Sequence, residues 1–330
     1  MLYSLHRFLD QIIDYAGIFP PARLRIEEAI GNYASYRSGE DAWMLGRFIC
    51  PAIRLPELTL YHSELFHQNP PFAFAVLGSG GRTIEEFLAK LRLDMDFVSK
   101  FQHNNGRSVL VDVLEMALPE EVIAECDDGV IFDLIKVVHG YSKFAGPLRY
   151  TPFFEGYQAR NAEASIDSVV QGIKRFREHV QETDELPALL PGYKLRCGGS
   201  SPGAIPSVAT LAHALLACRK AGIPIKFNAG LDQPVRSFDE TQGTHVHGFF
   251  NVFGAAILLW THDLEKEQLE EILADENPAH FRFDEDHFSW NSLSADCDEI
   301  YAAREALAIS FGSCRFDEPV RALRALGYLA

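Results

Sequence analysis

Residues 192–199 read GYKLRCGG and residues 224–230 read PIKFNAG, two segments built on the same plan. Each has a lysine inside an apolar run, a second polar residue two positions later, and a glycine that ends the run. A helical pattern occupies 206–221 between them, so this part of the chain has the order strand, helix, strand. The first expectation is therefore an α/β fold in which these two strands are neighbours.

The same alternation of strand and helix extends over the rest of the chain. Short apolar runs predict seven strands, at 12–16, 44–50, 72–77, 108–114, 150–154, 193–197 and 225–228. The long apolar run at 247–260 has its large side chains at helical spacing and predicts a buried helix. That leaves 281–283 as the eighth strand, with helices at 295–309 and 319–329 after it.

Eight such units in 330 residues predict one α/β domain, a (β/α)8 TIM barrel that spans 1–330. Residues 294–330 are expected to close it as extra C-terminal helices. The alternative is a doubly wound open sheet.

The composition narrows the function classes. The chain carries a formal net charge of −16, which argues against nucleic acid or an anionic membrane as the partner. Its six cysteines form no CxxC pair, and no secretory signal precedes the first helix, so we expect reduced thiols and a cytoplasmic location. The expected partner is a small anionic metabolite, and a homo-oligomer is left open.

Polar residues near the predicted strand ends define the candidate site. Because side chains alternate along a strand, each lysine shares a face with the polar residue two positions later. A lysine inside a strand costs stability unless it has a partner or a function. The predicted catalytic residues are Lys194, Lys226 and Asp112. The predicted substrate-binding residues are Arg47, Arg196, Asn228, Arg236, His247, Glu155 and Asp14.

Two close lysines have a specific chemical meaning. Burial and a neighbouring cation lower the pKa of a lysine, which can then attack a carbonyl group and form a Schiff base. Here Arg196 and the second lysine would supply the neighbouring positive charge, and Asp112 would move protons. Carboxylates would balance some of the cations, and an anionic carbonyl substrate would balance the rest.

At these residues the chain resembles the deoxyribose-phosphate aldolases and related class I aldolases. In that family a Schiff-base lysine on strand six and a second lysine on strand seven each precede a glycine by four positions. Lys194 with Gly198, and Lys226 with Gly230, have this spacing. The resemblance implies a lyase that cleaves a C–C bond through a protonated imine on Lys194, with Lys226 tuning it and Asp112 as the strand-four carboxylate.

A second resemblance extends along more of the chain. The segments DYAGIFPP at 14–21, KFNAGL at 226–231 and FGSCRF at 311–316 are similar to those of a group of uncharacterised bacterial proteins. This resemblance implies no activity.

Two further functions stay open at this level. A metal-assisted isomerase or lyase would use the same pocket, with His247, Asp14 and Glu155 as ligands, although no cofactor or metal is part of the leading prediction. A non-catalytic barrel that binds an anionic metabolite is the other. The glycine-rich loop at 198–203 is either a flexible turn or a cradle for a phosphate group.

Overall fold

The computed structural model describes residues 2–61, 65–66, 70–144, 150–157, 159–183, 190–199 and 204–329. Its strands are β1 (Ile13–Tyr15), β2 (Leu45–Pro51), β3 (Phe72–Leu77), β4 (Val109–Ala117), β5 (Thr151–Glu155), β6 (Gly192–Arg196), β7 (Ile225–Asn228), β8 (Ser237–Asp239), β9 (Thr244–Val246), β10 (Phe281–Phe283), β11 (His287–Trp290), β12 (Leu293–Asp296) and β13 (Ala308–Ser313). Eight of them close into a barrel of parallel strands in the order β1-β13-β7-β6-β5-β4-β3-β2. The predicted (β/α)8 TIM barrel is confirmed.

Helices surround this barrel. They are α1 (Tyr3–Leu9), α2 (Ile26–Tyr36), α3 (Leu55–Leu58), α4 (Ile84–Asn105), α5 (Glu120–Glu125), α6 (Asp128–Phe144), α7 (Ala162–Glu182), α8 (Val208–Ala221), α9 (Phe249–Thr261), α10 (Lys266–Ala274), α11 (Cys297–Ala306) and α12 (Asp317–Ala325). Local sequence sets their ends: Thr83 and Ser207 precede α4 and α8, and each side-chain oxygen accepts a hydrogen bond from a first-turn amide. None of the described helices is long and apolar enough to cross a membrane.

The helix α9 confirms one prediction and explains why the run at 247–260 is so apolar. All residues from Phe249 to Leu259 are buried, because the helix is covered on every side. Its neighbours include α8, α10, α11, β12 and β13. A helix in this position needs no polar face, which distinguishes it from the amphipathic helices of the outer ring.

The predicted eighth strand is wrong. Residues Phe281–Phe283 pair antiparallel with β11, which pairs with β12 in a separate three-stranded sheet. The barrel is closed instead by β13, which pairs in parallel with β1 and β7. Ser310 and Gly312 interrupt the apolar pattern of β13, so the sequence did not read as a strand. Residues 294–330 therefore contain the last barrel strand as well as helices.

Candidate functional site

A buried carboxylate joins the two lysines inside the barrel. Glu115 Oε1 lies 2.7 Å from Lys226 Nζ, and Glu115 Oε2 lies 2.8 Å from Lys194 Nζ. The two lysines are direct partners in the register of β6 and β7, which explains why their side chains reach the same level. Each lysine is 1% exposed and Glu115 is 2% exposed, so the bridge is closed to solvent.

Both lysines also contact a second carboxylate. Lys194 Nζ lies 3.0 Å from Glu155 Oε2, and Arg196 Nε lies 3.2 Å from Glu155 Oε1. On the other side, Lys226 Nζ lies 2.7 Å from Asp14 Oδ2. Each ammonium group thus sits between two carboxylates. Glu155 and Arg196 are the more exposed end of the chain of contacts, since they stand at the C-terminal ends of β5 and β6.

The contacts continue beyond Asp14 toward the other end of the barrel. Asp14 accepts hydrogen bonds of 2.7 Å from the Ser310 hydroxyl and from the backbone N–H of Arg47. The Arg47 guanidinium donates two hydrogen bonds of 2.7 Å to Asp112. This pair is only partly buried, with about a fifth of the Arg47 side chain exposed. We call the whole set, from Arg196 to Asp112, the charge ladder.

Irregular strand pairing places several of these polar groups. Between β3 and β4 the register shifts so that Asp112 is an extra residue between Val111 and Val113. Similar shifts occur where β2 passes Arg47 and where β13 passes Ser310. A bulge redirects a side chain that regular alternation would place elsewhere. The barrel therefore turns polar groups inward at three points where the sequence pattern alone does not.

The electrostatics of the lysines differ from the expectation. Burial acts to lower the pKa of Lys194, but the attraction of Glu115 and Glu155 outweighs it and raises that pKa above its ordinary value. Burial acts to raise the pKa of Glu115, and the two lysines lower it to about 2. Burial also acts to raise the pKa of Glu155, and Lys194 and Arg196 lower it below its ordinary value. Lys194 is therefore protonated at rest, and the predicted lowering of its pKa is wrong.

The ladder also balances its own charge. Its four cations alternate with four carboxylates along the contacts given above. The cations are Arg196, Lys194, Lys226 and Arg47, and the carboxylates are Glu155, Glu115, Asp14 and Asp112. The idea that an anionic substrate must balance an excess of cations is therefore incorrect for the interior. Any attraction for an anion comes from groups at the ends.

The glycines of the two motifs have a packing role. A Cβ on Gly198 would lie 2.6 Å from the Cα of Gly230, so neither position has room for a side chain. Gly230 also has a φ of +71°, a conformation that favours glycine. The ends of β6 and β7 thus touch through their bare backbones. In this chain the glycine of each Lys-x-x-x-Gly segment is therefore explained by backbone packing.

Asn228 lies beside the Arg196 end of the charge ladder. It is the register partner of Arg196 at the C-terminal end of β7. The neighbouring strand leaves room for it, because a Cβ on Gly312 would lie 2.7 Å from Asn228 Oδ1. The predicted substrate-binding pair Arg196 and Asn228 is therefore brought to one mouth of the barrel, although binding itself remains a prediction.

Arg236 and His247 lie apart from the ladder. Arg236 pairs with Glu276, and His247 Nε2 donates a 2.8 Å hydrogen bond to the Pro206 carbonyl. Burial lowers the pKa of His247, and its Nδ1 has no hydrogen-bond partner among the described residues. Within the described part of the chain, no hydrogen bond or ion pair joins either residue to the lysines.

The carboxylate that contacts both lysines differs from the one that the sequence predicts beside them. Asp112 is predicted to move protons beside the lysines, yet it pairs with Arg47, and the carboxylate that joins the lysines is Glu115. The predicted strand ends at Leu114, just before Glu115, whereas β4 continues three residues further to Ala117. The signal was present, because Glu115 stands between Leu114 and Met116 just as each lysine stands within an apolar run.

The structure also bears on two other predicted ligand sites, a metal site and a phosphate-binding loop. In the described ranges no three histidine, cysteine or carboxylate groups come together to hold a metal ion. Asp14 and Glu155, two of the three ligands considered, are instead held by lysines. Most of the candidate phosphate loop, at 200–203, lies outside the described residues.

No family model matches the chain, and no curated protein is significantly similar to it. One solved structure that resembles it is a deoxyribose phosphate aldolase from Aeropyrum pernix, described as having a unique tetrameric structure. The alignment covers 99% of this chain and 97% of that one, with 10% identity and a TM-score of 0.48. Similarity at this level concerns the barrel fold alone.

Proposed function

We propose that this barrel is a carbonyl lyase that forms a Schiff base on Lys194. The observation that carries the proposal is the Lys194–Glu115–Lys226 bridge, in which two buried amines share one carboxylate. Lys194 is the better nucleophile candidate because it also contacts Glu155, the partly exposed carboxylate at the C-terminal end of the barrel. Active sites of such barrels lie at that end.

The raised pKa of Lys194 is compatible with this chemistry. To attack a carbonyl carbon, the ammonium group first gives a proton to a neighbouring carboxylate, for which Glu155 is in contact. The C–N bond forms, the carbonyl oxygen takes one proton from the amine nitrogen and the one held by Glu155 and leaves as water, and a protonated imine results, with Glu155 ionised again. That imine carries the same positive charge as the ammonium group it replaces. Carboxylates that favour the charged amine therefore also stabilise the charged intermediate.

The cleavage step needs a base and an electron acceptor. The electrons of the breaking C–C bond move into the protonated imine, which becomes a neutral enamine, while a base takes the proton of the substrate hydroxyl. Among the carboxylates of the charge ladder, Glu155 lies nearest the C-terminal mouth of the barrel, so it suits the role of this base. Arg196, which is 45% exposed and uses only its Nε on Glu155, would bind an acidic group of the substrate.

Hydride trapping tests the proposal. The protein is incubated with pyruvate, acetaldehyde, glyceraldehyde and deoxyribose phosphate in the presence of borohydride, which reduces an imine to a stable secondary amine. Peptide mass spectrometry is expected to place the adduct on Lys194. Lys194→Arg should abolish it, and the exposed control Lys174→Arg should not. Failure of every carbonyl compound to label Lys194 would contradict the proposal.

The same experiment separates the binding-only alternative. A barrel that merely holds a metabolite would give no hydride-stable adduct, although the ligand would still raise the melting temperature. Self-association remains a prediction of the sequence, and size-exclusion chromatography with light scattering measures it directly.

A further inference from the structure

The barrel has a cavity at the mouth opposite to the candidate active site. Its volume is about 330 Å³. Several lining residues come just before a strand begins: Gln11 precedes β1, Leu190 precedes β6 and Pro224 precedes β7. The cavity therefore opens at the N-terminal ends of the strands. Its volume is at the small end of the range for metabolite pockets.

Four arginines line this cavity, and two of them are fully engaged. Arg304 donates hydrogen bonds to the backbone carbonyls of Phe8, Asp10, Ala308 and Ile309. Arg47 is bound to Asp112 within the charge ladder. These two form a fixed cationic floor rather than a free binding group.

The other two arginines have N–H groups without a hydrogen-bond partner among the described residues. Arg177, on α7, has a single hydrogen bond, 3.4 Å long, to the Pro191 carbonyl, and no carboxylate among the described residues pairs with it. Arg7, on α1, lies over the rings of Tyr3 and Tyr301, and its buried Nε has no hydrogen-bond partner in the described part of the chain. Burial lowers the pKa of Arg177, which an anion beside it would reverse.

The remaining lining groups fit a small organic molecule. The acidic groups that line the cavity are Asp10 and Glu305, both exposed at its edge, and their charge acts on Arg304. Phe153 and Ile309 give an apolar wall, while Thr151 offers a hydroxyl group. Arginine is suited to phosphate and carboxylate groups because its planar fork donates two parallel hydrogen bonds.

We propose that the N-terminal mouth is a second binding site, which takes a small organic oxyanion between Arg177 and Arg7. The anion carries a phosphate or carboxylate head group and a short apolar or hydroxylated body. This site goes beyond the proposed lyase activity and does not depend on it, because neither arginine belongs to the charge ladder.

Calorimetric titration tests this site on the purified full-length protein. The probes are glycerol 3-phosphate and succinate at constant ionic strength, with neutral glycerol as the control ligand. At least one of the two anions is expected to bind saturably with one site per chain, and the better one identifies the head group. Arg177→Gln should weaken that binding about tenfold or more, which is the usual effect of losing a charge-assisted hydrogen bond. Arg7→Gln provides a second, independent variant.

Arg175→Gln is the matched control, since Arg175 lies on the same helix but pairs with Asp128 on the surface. Its affinity should stay within about twofold of the unmodified protein. Absence of saturable binding of both anions up to about 10 mM would overturn the proposal. So would an unchanged affinity in both Arg177→Gln and Arg7→Gln. Hydride trapping on Lys194 is a separate measurement, so this site and the lyase proposal can fail independently.

Discussion

The two ends of the barrel interior handle buried charge in opposite ways. Around Glu115, every ammonium group has two carboxylate neighbours within 3.0 Å, and the lysines, Glu115 and Asp14 are almost closed to water. At the N-terminal mouth, Arg177 has one long hydrogen bond and no carboxylate partner among the described residues. The comparison shows that buried cations indicate a ligand site only where the protein itself supplies too few carboxylate or carbonyl partners for them. By that criterion the lysines have their partners inside the fold, and the groups left for an anion are Arg177 and Arg7 at the N-terminal mouth and the half-exposed Arg196 at the C-terminal mouth.

Removing the bridging carboxylate is the most severe way to test this comparison. Glu115→Gln leaves two buried lysines with one carboxylate fewer, and we expect a loss of about 3–5 kcal/mol in the free energy of unfolding at pH 7. Urea denaturation measures it. Glu178→Gln is the control, because its surface pair with Lys174 should contribute less than about 1 kcal/mol. Equal effects of the two substitutions would show that the bridge adds nothing.

The pH dependence of stability tests the same bridge without relying on one variant. The pKa of Glu115 is about 2 in the fold against an ordinary 4.5, so its ionised form stabilises the fold above about pH 5. That contribution, on the order of 3 kcal/mol, is lost as the pH falls from 5 toward 2. The free-energy difference between the unmodified protein and Glu115→Gln should therefore shrink over this range, as urea titrations at several pH values would reveal. A constant difference would contradict it.

At the alkaline end the sign is reversed. The pKa of Lys194 is raised, so its stabilising charge is present below its ordinary pKa and is lost as the pH rises through the folded value. The unmodified protein should therefore lose stability above about pH 10.5. Unfolding curves followed by circular dichroism measure this loss, and a flat profile there would count against the Lys194 contacts.

The close contact between Gly198 and Gly230, just after β6 and β7, is expected to have a smaller effect on stability. Gly198→Ala would force the ends of β6 and β7 apart, and we expect a loss of about 1–3 kcal/mol, read as a lower melting temperature. Gly31→Ala is the matched control, because it lies in α2 with nothing within 4 Å of the added Cβ. That change should be neutral or stabilising by about 0.5–1 kcal/mol. Identical behaviour of both variants would refute the close contact.

The smallest expected effect on stability concerns the Arg47–Asp112 pair, where the charge ladder meets the N-terminal cavity. Asp112→Asn releases Arg47 at a partly exposed position, so the free energy of unfolding should fall by only about 1 kcal/mol. The freed guanidinium should also strengthen binding of glycerol 3-phosphate at the mouth, which titration would detect. A loss as large as that of Glu115→Gln would show that the ladder is equally critical along its length.

The sequence predicts the barrel well because its evidence is local. Seven strand positions and the buried helix α9 follow from apolar runs that need no knowledge of distant residues. The eighth strand fails since Ser310 and Gly312 make room for Asp14 and Asn228, which are far away in the sequence. A strand whose composition is set by remote partners does not show its type locally.

The site residues show the same difference between features that are visible locally and features that depend on distant strands. The lysines were identified because a charge inside an apolar run is visible in one segment. Two of their partners, Asp14 and Glu155, were also among the predicted site residues. The bridging Glu115 was not, because bulges decide whether Asp112 or Glu115 faces the lysines, and bulges depend on pairing between strands. The sign of the Lys194 pKa shift follows from those partners, so sequence reasoning that saw mainly cations gave the opposite direction.

The contact between Gly198 and Gly230 has a consequence for how such barrels are recognised. Two adjacent strands that meet at bare Cα atoms require glycine at the same height on both. A residue four positions before each glycine then occupies the same height on its own strand, whatever its chemistry. The Lys-x-x-x-Gly spacing therefore reports how closely the two strands approach, whereas the carboxylate of Glu115 between the lysines is a feature that the spacing does not determine.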